Sequence, residues 1–165
     1  MGGHSIEQAS PDDWRRFRAV RLRALADSPD AFGTTLAEDE ARPGSEWRSR
    51  LENPEVAQFI ASDAVGNDTG MVVGAPWVGL ESTAGLFGMW VAPEARGLGL
   101  GGALVDRVIG WARGAGFVRV LLDVADQNAA AIALYESRGF VPTGETDHLL
   151  PPRQHISEHR RQLML

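Results

Sequence analysis

A run of glycines between Val91 and Leu104 is the part of the sequence whose residue types most directly suggest chemistry. It reads VAPEARGLGLGGAL, so Arg96 comes immediately before the first glycine. The glycines of the run are Gly97, Gly99, Gly101 and Gly102. Glycine lets a backbone approach a ligand closely, and N–H groups at the start of a helix attract anions. The run therefore predicts a binding site for a phosphate or pyrophosphate group.

The elements on either side of the glycine run must hold it in place. Leu86–Val91 is typical of a strand, which Pro93 would end. After the run, apolar residues recur at helical spacing, namely Leu100, Leu104, Val108 and Trp111. Val118–Val124 is nearly continuous in apolar residues, as in a strand buried within a parallel sheet. The strand–helix–strand order predicts a right-handed crossover that places the two strands side by side.

The rest of the chain alternates predicted strands and helices. A length of 165 residues favours one domain spanning 1–165. We expect strands at Ser5–Ala9, Val56–Ala64 and Met71–Leu80, another beginning at Phe140, and a last one at Arg161–Leu165. We expect helices from the Ser10 cap to about Ala26, over Leu36–Leu51 and over Asn128–Arg138, with loops at Asp27–Thr35 and Thr146–His155.

The composition excludes several kinds of chemistry. The chain has no cysteine, and all 16 of its Lys+Arg residues are arginine. Disulfides, thiolate metal sites, Schiff bases on lysine and a thioester on cysteine are therefore excluded. The net charge of −6 argues against nucleic acid as a partner. No apolar run reaches the roughly 18 residues that cross a membrane, so we expect a cytoplasmic protein with no membrane partner.

The glycine run is compatible with more than one phosphate-bearing ligand. Gly97, Gly99 and Gly102 satisfy G-x-G-x-x-G, and Asp123 follows about 20 residues later, as in dinucleotide-binding folds. In those folds the glycines follow the strand almost at once, whereas residues 93–96 intervene here. An NAD-binding domain is therefore a less favoured interpretation of the glycine run.

Two motifs resemble the GCN5-related N-acetyltransferase (GNAT) family. RGLGLG at Arg96–Gly101 resembles the family's R/Q-x-x-G-x-G/A, and NAAAIALY at Asn128–Tyr135, with Gly139 and Phe140 after it, resembles N-x-x-A-x-x-L-Y. The resemblance implies an α/β (α+β) fold. Its sheet would be mixed, mostly antiparallel and six- to seven-stranded, flanked by helices, with a splayed parallel pair of strands at its centre.

The resemblance also implies acetyl-CoA as cosubstrate and a role for each matching residue. The strand before the glycine run would bind the pantetheine arm through its backbone. Gly88 lies where that strand usually bulges, and simple close packing is the alternative explanation of this glycine. Tyr135 would protonate the departing thiolate, and Asn128 would contact the pantetheine arm. The less favoured alternatives are that Asn128 caps a helix and that Tyr135 packs in the core. The implied acetyl-CoA contacts are Met89, Trp90, Val91, Arg96, Gly97, Leu98, Gly99, Leu100, Gly101, Gly102, Asn128 and Tyr135.

The base that deprotonates the acceptor is not identified by the sequence. Direct attack of an amine on acetyl-CoA, in a ternary complex, requires the amine to be uncharged. Leu86–Val91 contains no acidic residue, where family members often have a glutamate. Glu81 is the nearest carboxylate upstream, and Asp123 is a second candidate.

The acceptor is predicted only as a class. We expect the primary amine of a small molecule, such as an antibiotic, a polyamine or an amino acid; a protein N-terminus or lysine is the alternative, and a non-catalytic CoA sensor is less favoured. The chain would be a monomer or homodimer. The Asp27–Thr35 loop, with Asp30 and Phe32, would form one wall of the acceptor pocket and His148 could touch the substrate. The acids Glu38, Asp39 and Glu40 would attract a cation or simply begin a helix.

No metal is expected. His155 and His159 have the i, i+4 spacing of a metal pair on a helix, but the sequence places no third ligand near them.

Overall fold

The structure, a computed structural model, describes residues 3–165. The strands are β1 Ser5–Gln8, β2 Ala57–Ser62, β3 Asp68–Pro76, β4 Thr83–Val91, β5 Arg119–Ala125, β6 Val141–His148 and β7 Ser157–Met164. The helices are α1 Trp14–Asp27, α2 Leu36–Glu40, α3 Gly44–Glu52, α4 Leu100–Gly114 and α5 Ala129–Ser137. Short 3-10 turns lie at Pro11–Asp13, Pro29–Ala31 and Pro93–Ala95.

The seven strands form one mixed sheet in the order β1-β2-β3-β4-β5-β7-β6. β4 and β5 are its parallel pair, and the pairings of the other neighbours are antiparallel. The parallel pair is joined through α4, as a strand–helix–strand crossover requires. This confirms the fold class predicted from the sequence, with seven strands.

Apolar side chains on the two faces of the sheet form two cores. On one face α4 and α5 pack against buried residues such as Phe59, Leu86 and Leu122. On the other face α1 and α3 cover Ile60 and Trp90 among others. Each large apolar side chain that is fully buried stabilises the fold by roughly 1.5–3 kcal/mol. The helices are therefore fixed on the sheet by hydrophobic burial on both sides.

The pairing of β4 with β5 stops partway along both strands. Thr83–Gly85 pairs with Arg119–Leu121, and no pairing follows beyond them. On its other side β4 bulges, because Met71 of β3 is opposite Trp90 while Val73 is opposite Phe87. Gly88 lies at this bulge with φ +58°, a left-handed conformation that favours glycine. β4 and β5 therefore separate into a cleft, as predicted for Gly88.

The helix predicted over Leu36–Leu51 is wrong in one respect, because the chain forms two helices there. α2 ends at Glu40 and α3 begins at Gly44. Pro43 lies between them, and a proline has no N–H to donate and disfavours helical conformation in the residue before it.

The carboxyl-terminal strands are longer than the sequence predicts. β6 extends through His148, so the loop between β6 and β7 covers 149–156 rather than Thr146–His155. His159 lies on β7 and His155 in the turn before it. The helical spacing considered for a metal pair therefore does not apply to these two histidines.

None of the helices within residues 3–165 combines the length and the apolar character that crossing a membrane requires.

Candidate functional site

One continuous cavity of about 1260 Å³ runs from the glycine loop to the far side of the sheet. It begins at Gly97–Gly102, passes between β4 and β5, and reaches the loops at Ser28–Thr35 and 147–153. The cleft between the two strands is its middle section. The cavity therefore connects an anion-binding loop with a pocket large enough for a second molecule.

The glycine loop presents backbone N–H groups without protein partners. Gly97 and Gly99 have φ of +78° and +82°, and a Cβ at either position would meet no atom within 4 Å. Within residues 3–165, no N–H from Gly97 to Gly102 donates a hydrogen bond. These groups also lie at the positive end of the 15-residue helix α4. The loop fits a pyrophosphate, because free N–H donors and a helix dipole converge on one open surface.

Arg96 is held by the protein immediately before the loop. Its Nε donates to the Val91 carbonyl at 2.9 Å, and its Nη2 donates to Asp27 at 2.7 Å. The same carboxylate accepts the indole N–H of Trp90 at 3.0 Å. Hydrogen bonds from Trp90, Ser28 and Arg96 lower the pKa of Asp27. Arg96 therefore joins α1, β4 and the glycine loop, and its Nη1 makes no hydrogen bond within the described chain.

The edge of β4 that faces the cleft carries further free donors. The N–H of Ala92 donates to Thr69 on β3 at 2.8 Å. Since successive backbone groups of a strand point to opposite sides, the N–H groups of Met89 and Val91 face the cleft while that of Trp90 faces β3. Of the three predicted backbone contacts on this strand, the geometry offers Met89 and Val91. The Trp90 side chain is buried on the opposite face of the sheet from α4.

Both residues predicted at α5, Asn128 at its N-cap and Tyr135 within it, line the cavity. The Asn128 side chain caps the helix, accepting from the Ala131 N–H at 3.2 Å, which leaves its amide NH₂ for another partner. Tyr135 is 7% exposed and its ring contacts Phe140 edge-on, with 5.9 Å between centroids. Burial raises the pKa of the Tyr135 hydroxyl well above its usual range, so the group stays protonated. Its Oη has no hydrogen-bond partner among the described residues.

Of the loop predicted at Asp27–Thr35, Ser28 and residues 31–35 line the cavity. A second loop is tied to it. Arg153, in the loop between β6 and β7, donates to the carbonyls of Pro29, Phe32 and Gly33, each at 2.8 Å. The two loops therefore form one connected wall. Sequence reasoning missed Arg153, since its partners precede it by 120 or more residues.

A buried ion-pair network lies behind this wall. Asp39 is 1% exposed and accepts from Arg42 at 2.7 Å and from Arg21 at 3.0 Å. Arg21 also donates to Thr34 at 2.9 Å, and its Nη1 points towards the Gly88 bulge. Burial lowers the pKa of Arg21 in spite of its bond to Asp39. The charge of Asp39 is thus balanced by two arginines, so Asp39 does not attract a cationic substrate. Of the two roles considered for the acids at 38–40, attraction of a cation is therefore wrong for Asp39.

The remaining predicted carboxylates occupy unequal positions. Glu81 lies in the exposed turn before β4 and is not part of the cavity wall. Asp123 lines the cavity, but Arg160 donates to both of its oxygens at 2.9 and 3.1 Å. Glu38 lines it too and caps α2 by accepting from the Thr35 N–H at 3.0 Å. Glu158, which no sequence motif indicates, also lines the cavity.

The other predicted contacts lie at the surface. His148 is exposed and lines the cavity, whereas Asp30 and Glu40 are exposed outside it. Leu98 is 62% exposed at the tip of the glycine loop. Within residues 3–165 no three acidic or histidine side chains come together as metal ligands would.

The family model of the acetyltransferase (GNAT) family matches residues 19–140 of this sequence. The chain therefore belongs to this family, as the two motifs predicted.

Among curated relatives, a mycothiol acetyltransferase of Beutenbergia cavernae is 33% identical over 126 residues, which cover 75% of this chain and 40% of the relative. One from Stackebrandtia nassauensis is 32% identical over 78% of this chain and 41% of its own length. The chain thus spans about two fifths of the length of the curated relatives it matches.

Solved structures share the fold at lower identity. A putative acetyltransferase of Salmonella typhimurium, solved with its cofactor acetyl-CoA, has a TM-score of 0.81 at 22% identity, covering 99% of this chain and 94% of that one. A spermidine N-acetyltransferase of Vibrio cholerae, in complex with CoA and spermine, has a TM-score of 0.74 at 18% identity, covering 98% and 95%.

Proposed function

We propose that this protein is an acetyl-CoA-dependent N-acetyltransferase that transfers the acetyl group directly to the primary amine of a small molecule. One observation carries the proposal. A single cavity joins the glycine loop with its free N–H groups, the cleft edge of β4 and the side of α5 that carries Tyr135. Acyl transfer from a thioester needs these three groups: an anchor for acetyl-CoA, a hydrogen-bond donor for the developing oxyanion and an acid that protonates the leaving thiolate.

The residues that would hold acetyl-CoA are named here the donor side, comprising 89–102 and 128–135. The N–H groups of Gly97–Gly102 would bind the pyrophosphate, with Arg96 Nη1 beside them. The cleft edge of β4 would pair with the pantetheine arm as another strand does. The Met89 N–H would then stabilise the negative charge that develops on the thioester oxygen.

Tyr135 would act as the acid. Its raised pKa keeps the hydroxyl protonated through the physiological range, so it can donate to sulfur as the carbon–sulfur bond breaks. A thiol needs only modest assistance to leave, because its pKa of about 8.5 is well below that of an alcohol. The chain has no cysteine to carry the acetyl group, which supports direct transfer.

The residues that would receive the amine are named the acceptor side, comprising 27–39 and 147–158. Arg153 ties its two loops into one wall, which favours a compact acceptor over a protein surface. The names of the relatives point the same way, since those proteins are called mycothiol acetyltransferases.

The test is a panel of acceptors assayed by release of free CoA thiol. A thiol reagent reports CoA alone here, because the protein contains no cysteine. We expect saturable turnover with a polyamine, an aminoglycoside or an amino acid derivative. Saturation by peptides alone would favour the protein acetyltransferase instead. Binding of acetyl-CoA with no thiol release by any amine would identify a sensor.

Replacing Tyr135 by Phe provides the mechanistic part of the same test. The kcat should fall by about 100-fold, the lower end of what a general acid contributes. The Kd for acetyl-CoA should stay within twofold, since the hydroxyl makes no hydrogen bond inside the protein. Loss of acetyl-CoA binding together with a lower Tm would instead make Tyr135 a structural residue.

A further inference from the structure

We propose that Glu158 is the base that takes the proton from the acceptor ammonium before the nitrogen attacks. This assignment rests on the function proposed above. It names a catalytic residue that neither family motif contains, since both motifs lie between Arg96 and Phe140.

Glu158 reaches the cavity from the floor of the acceptor side. On β7 it lies directly opposite Ala125 of β5 and opposite Asp147 of β6. Ala125 lies beyond the point where β4 and β5 stop pairing, and all three residues line the cavity. Neighbouring strands are about 4.8 Å apart. The carboxylate is therefore one strand away from the cleft in which the thioester would lie.

Glu158 differs from the other cavity carboxylates in having no partner. Within residues 3–165 its side chain makes no hydrogen bond and no ion pair, although it is half-buried. Asp123 is occupied by Arg160 and Glu38 caps a helix. Asp147 is exposed and accepts from the backbone N–H of His148 at 2.8 Å. A partially desolvated carboxylate with free lone pairs is best suited to accept a proton.

The surroundings of Glu158 favour proton uptake. Burial raises the pKa of its carboxyl group, and the negative charges of Asp123, Asp126 and Asp147 raise it further. Arg153 is the facing cation and acts in the opposite sense. The acids come from β5, from the turn after it and from β6, so they surround Glu158 on its sheet neighbours. The increase brings the pKa of Glu158 closer to neutral pH, and a general base is most effective when its pKa is near the pH at which it works.

The proton balance is closed without any further reactant. The ammonium R–NH₃⁺ gives one proton to Glu158, and the neutral nitrogen forms a bond to the thioester carbon. The carbon–sulfur bond then breaks, and sulfur keeps the electron pair and takes the Tyr135 proton. The second nitrogen proton returns to Tyr135 through water, and Glu158 releases its proton to solvent. Amide, free CoA thiol and one proton result.

The test compares Glu158→Gln with Glu55→Gln, an exposed carboxylate that lies outside the cavity. We expect Glu158→Gln to lower kcat/KM for the amine about 100-fold at neutral pH, while the Kd for acetyl-CoA stays within about twofold. The wild-type kcat/KM should fall as the pH drops through the raised pKa of Glu158. The variant should lack that limb and follow only the titration of the acceptor.

A weakly basic acceptor gives a readout that a purely structural role would not move. With an analogue whose amine is already uncharged at the assay pH, the deficit of Glu158→Gln should narrow to about tenfold or less, because no proton has to be removed before attack. An equal deficit for both acceptors would overturn the assignment.

Stability provides the check on folding. A carboxyl whose folded pKa is raised stabilises the protein only while it is protonated. Glu158→Gln should therefore have a higher Tm than wild type at neutral pH, with the difference disappearing below the ordinary carboxyl pKa of 4.5. Should the variant unfold, Glu158→Asp tests the same point, since it keeps the carboxylate and should keep the acidic limb with reduced kcat.

The two proposals fail in different ways. Wild-type protein that acetylates no amine overturns the proposed function and this assignment with it. An active wild type with Glu158→Gln within twofold of its kcat/KM overturns the assignment alone. Retention of activity in Glu158→Gln with its loss in Asp123→Asn would transfer the role to Asp123.

Discussion

The donor side and the acceptor side of the cavity are built in different ways. The donor side offers mainly backbone N–H groups, in a loop and along a strand edge that are close in sequence. The acceptor side is formed by side chains whose partners are far apart in sequence, such as Arg153 with Pro29, 124 positions away. Backbone chemistry is set by local conformation, which glycine spacing and helix start signals specify.

The difference shows which kind of binding site can be predicted from a sequence. A donor site built on main-chain groups has to repeat the glycines that permit its conformation, so it forms a motif. An acceptor pocket built on side-chain contacts leaves no fixed spacing, because any suitably placed residue can make them. The two sides should therefore respond differently to mutation.

The largest effect should come from Gly99→Glu on the donor side. A carboxylate would lie where the pyrophosphate binds, and the left-handed φ of +82° disfavours any side chain there. We expect no measurable binding of acetyl-CoA by calorimetry. Gly110→Glu is the matched control, since this α4 glycine also has open space around it and should keep its affinity. If Gly99→Glu bound acetyl-CoA with unchanged affinity, the glycine loop would not be the binding site of the pyrophosphate.

A smaller but still large effect should come from Asp39→Asn on the acceptor side. Arg21 would lose its buried counter-charge, and breaking such a pair costs about 3–5 kcal/mol of unfolding free energy. Urea denaturation measures it, with the exposed Asp30→Asn as control.

The pH dependence of this loss follows from the ion pairs of Asp39. Burial alone would raise the pKa of Asp39, but bonds from Arg42 and Arg21 hold it below 3.8. Its contribution is therefore present above pH 3.8 and lost as the pH falls through the lowered pKa. If the difference in unfolding free energy between wild type and Asp39→Asn grew as the pH fell, the ion-pair explanation would be contradicted.

The smallest of the three effects should come from Arg153→Met, and it separates the two sides most sharply. The variant keeps much of the side-chain length but loses three hydrogen bonds to the facing loop. The KM for the acceptor should rise about tenfold, which corresponds to about 1.4 kcal/mol, with the Kd for acetyl-CoA unchanged. Arg113→Met, on the exposed end of α4, controls for loss of charge. Equal weakening of both ligands would mean that the two sides do not act independently.

More of the fold and of the candidate donor side than of the acceptor side can be predicted from the sequence. The strand pair around α4 and the order of elements follow from periodicity, and Pro43 shows where periodicity alone fails. The sequence predicts the loop at Asp27–Thr35 as a wall of the pocket, but it predicts neither the connection of that loop through Arg153 nor the ion pairs of Asp39. The position of Glu158 in the cavity cannot be predicted, because its burial depends on the register of β5, β6 and β7, which the sequence does not determine.

The bulge at Gly88 has a consequence for how such a protein can change in length. Leu86 and Met89 both face α4, with two residues between them, so β4 contains one residue more than strict alternation needs. A deletion at this position would keep the side chains after it on their present faces and return β4 to regular pairing. A chain shortened by this one residue would therefore retain its core while losing the bulge that shapes its site.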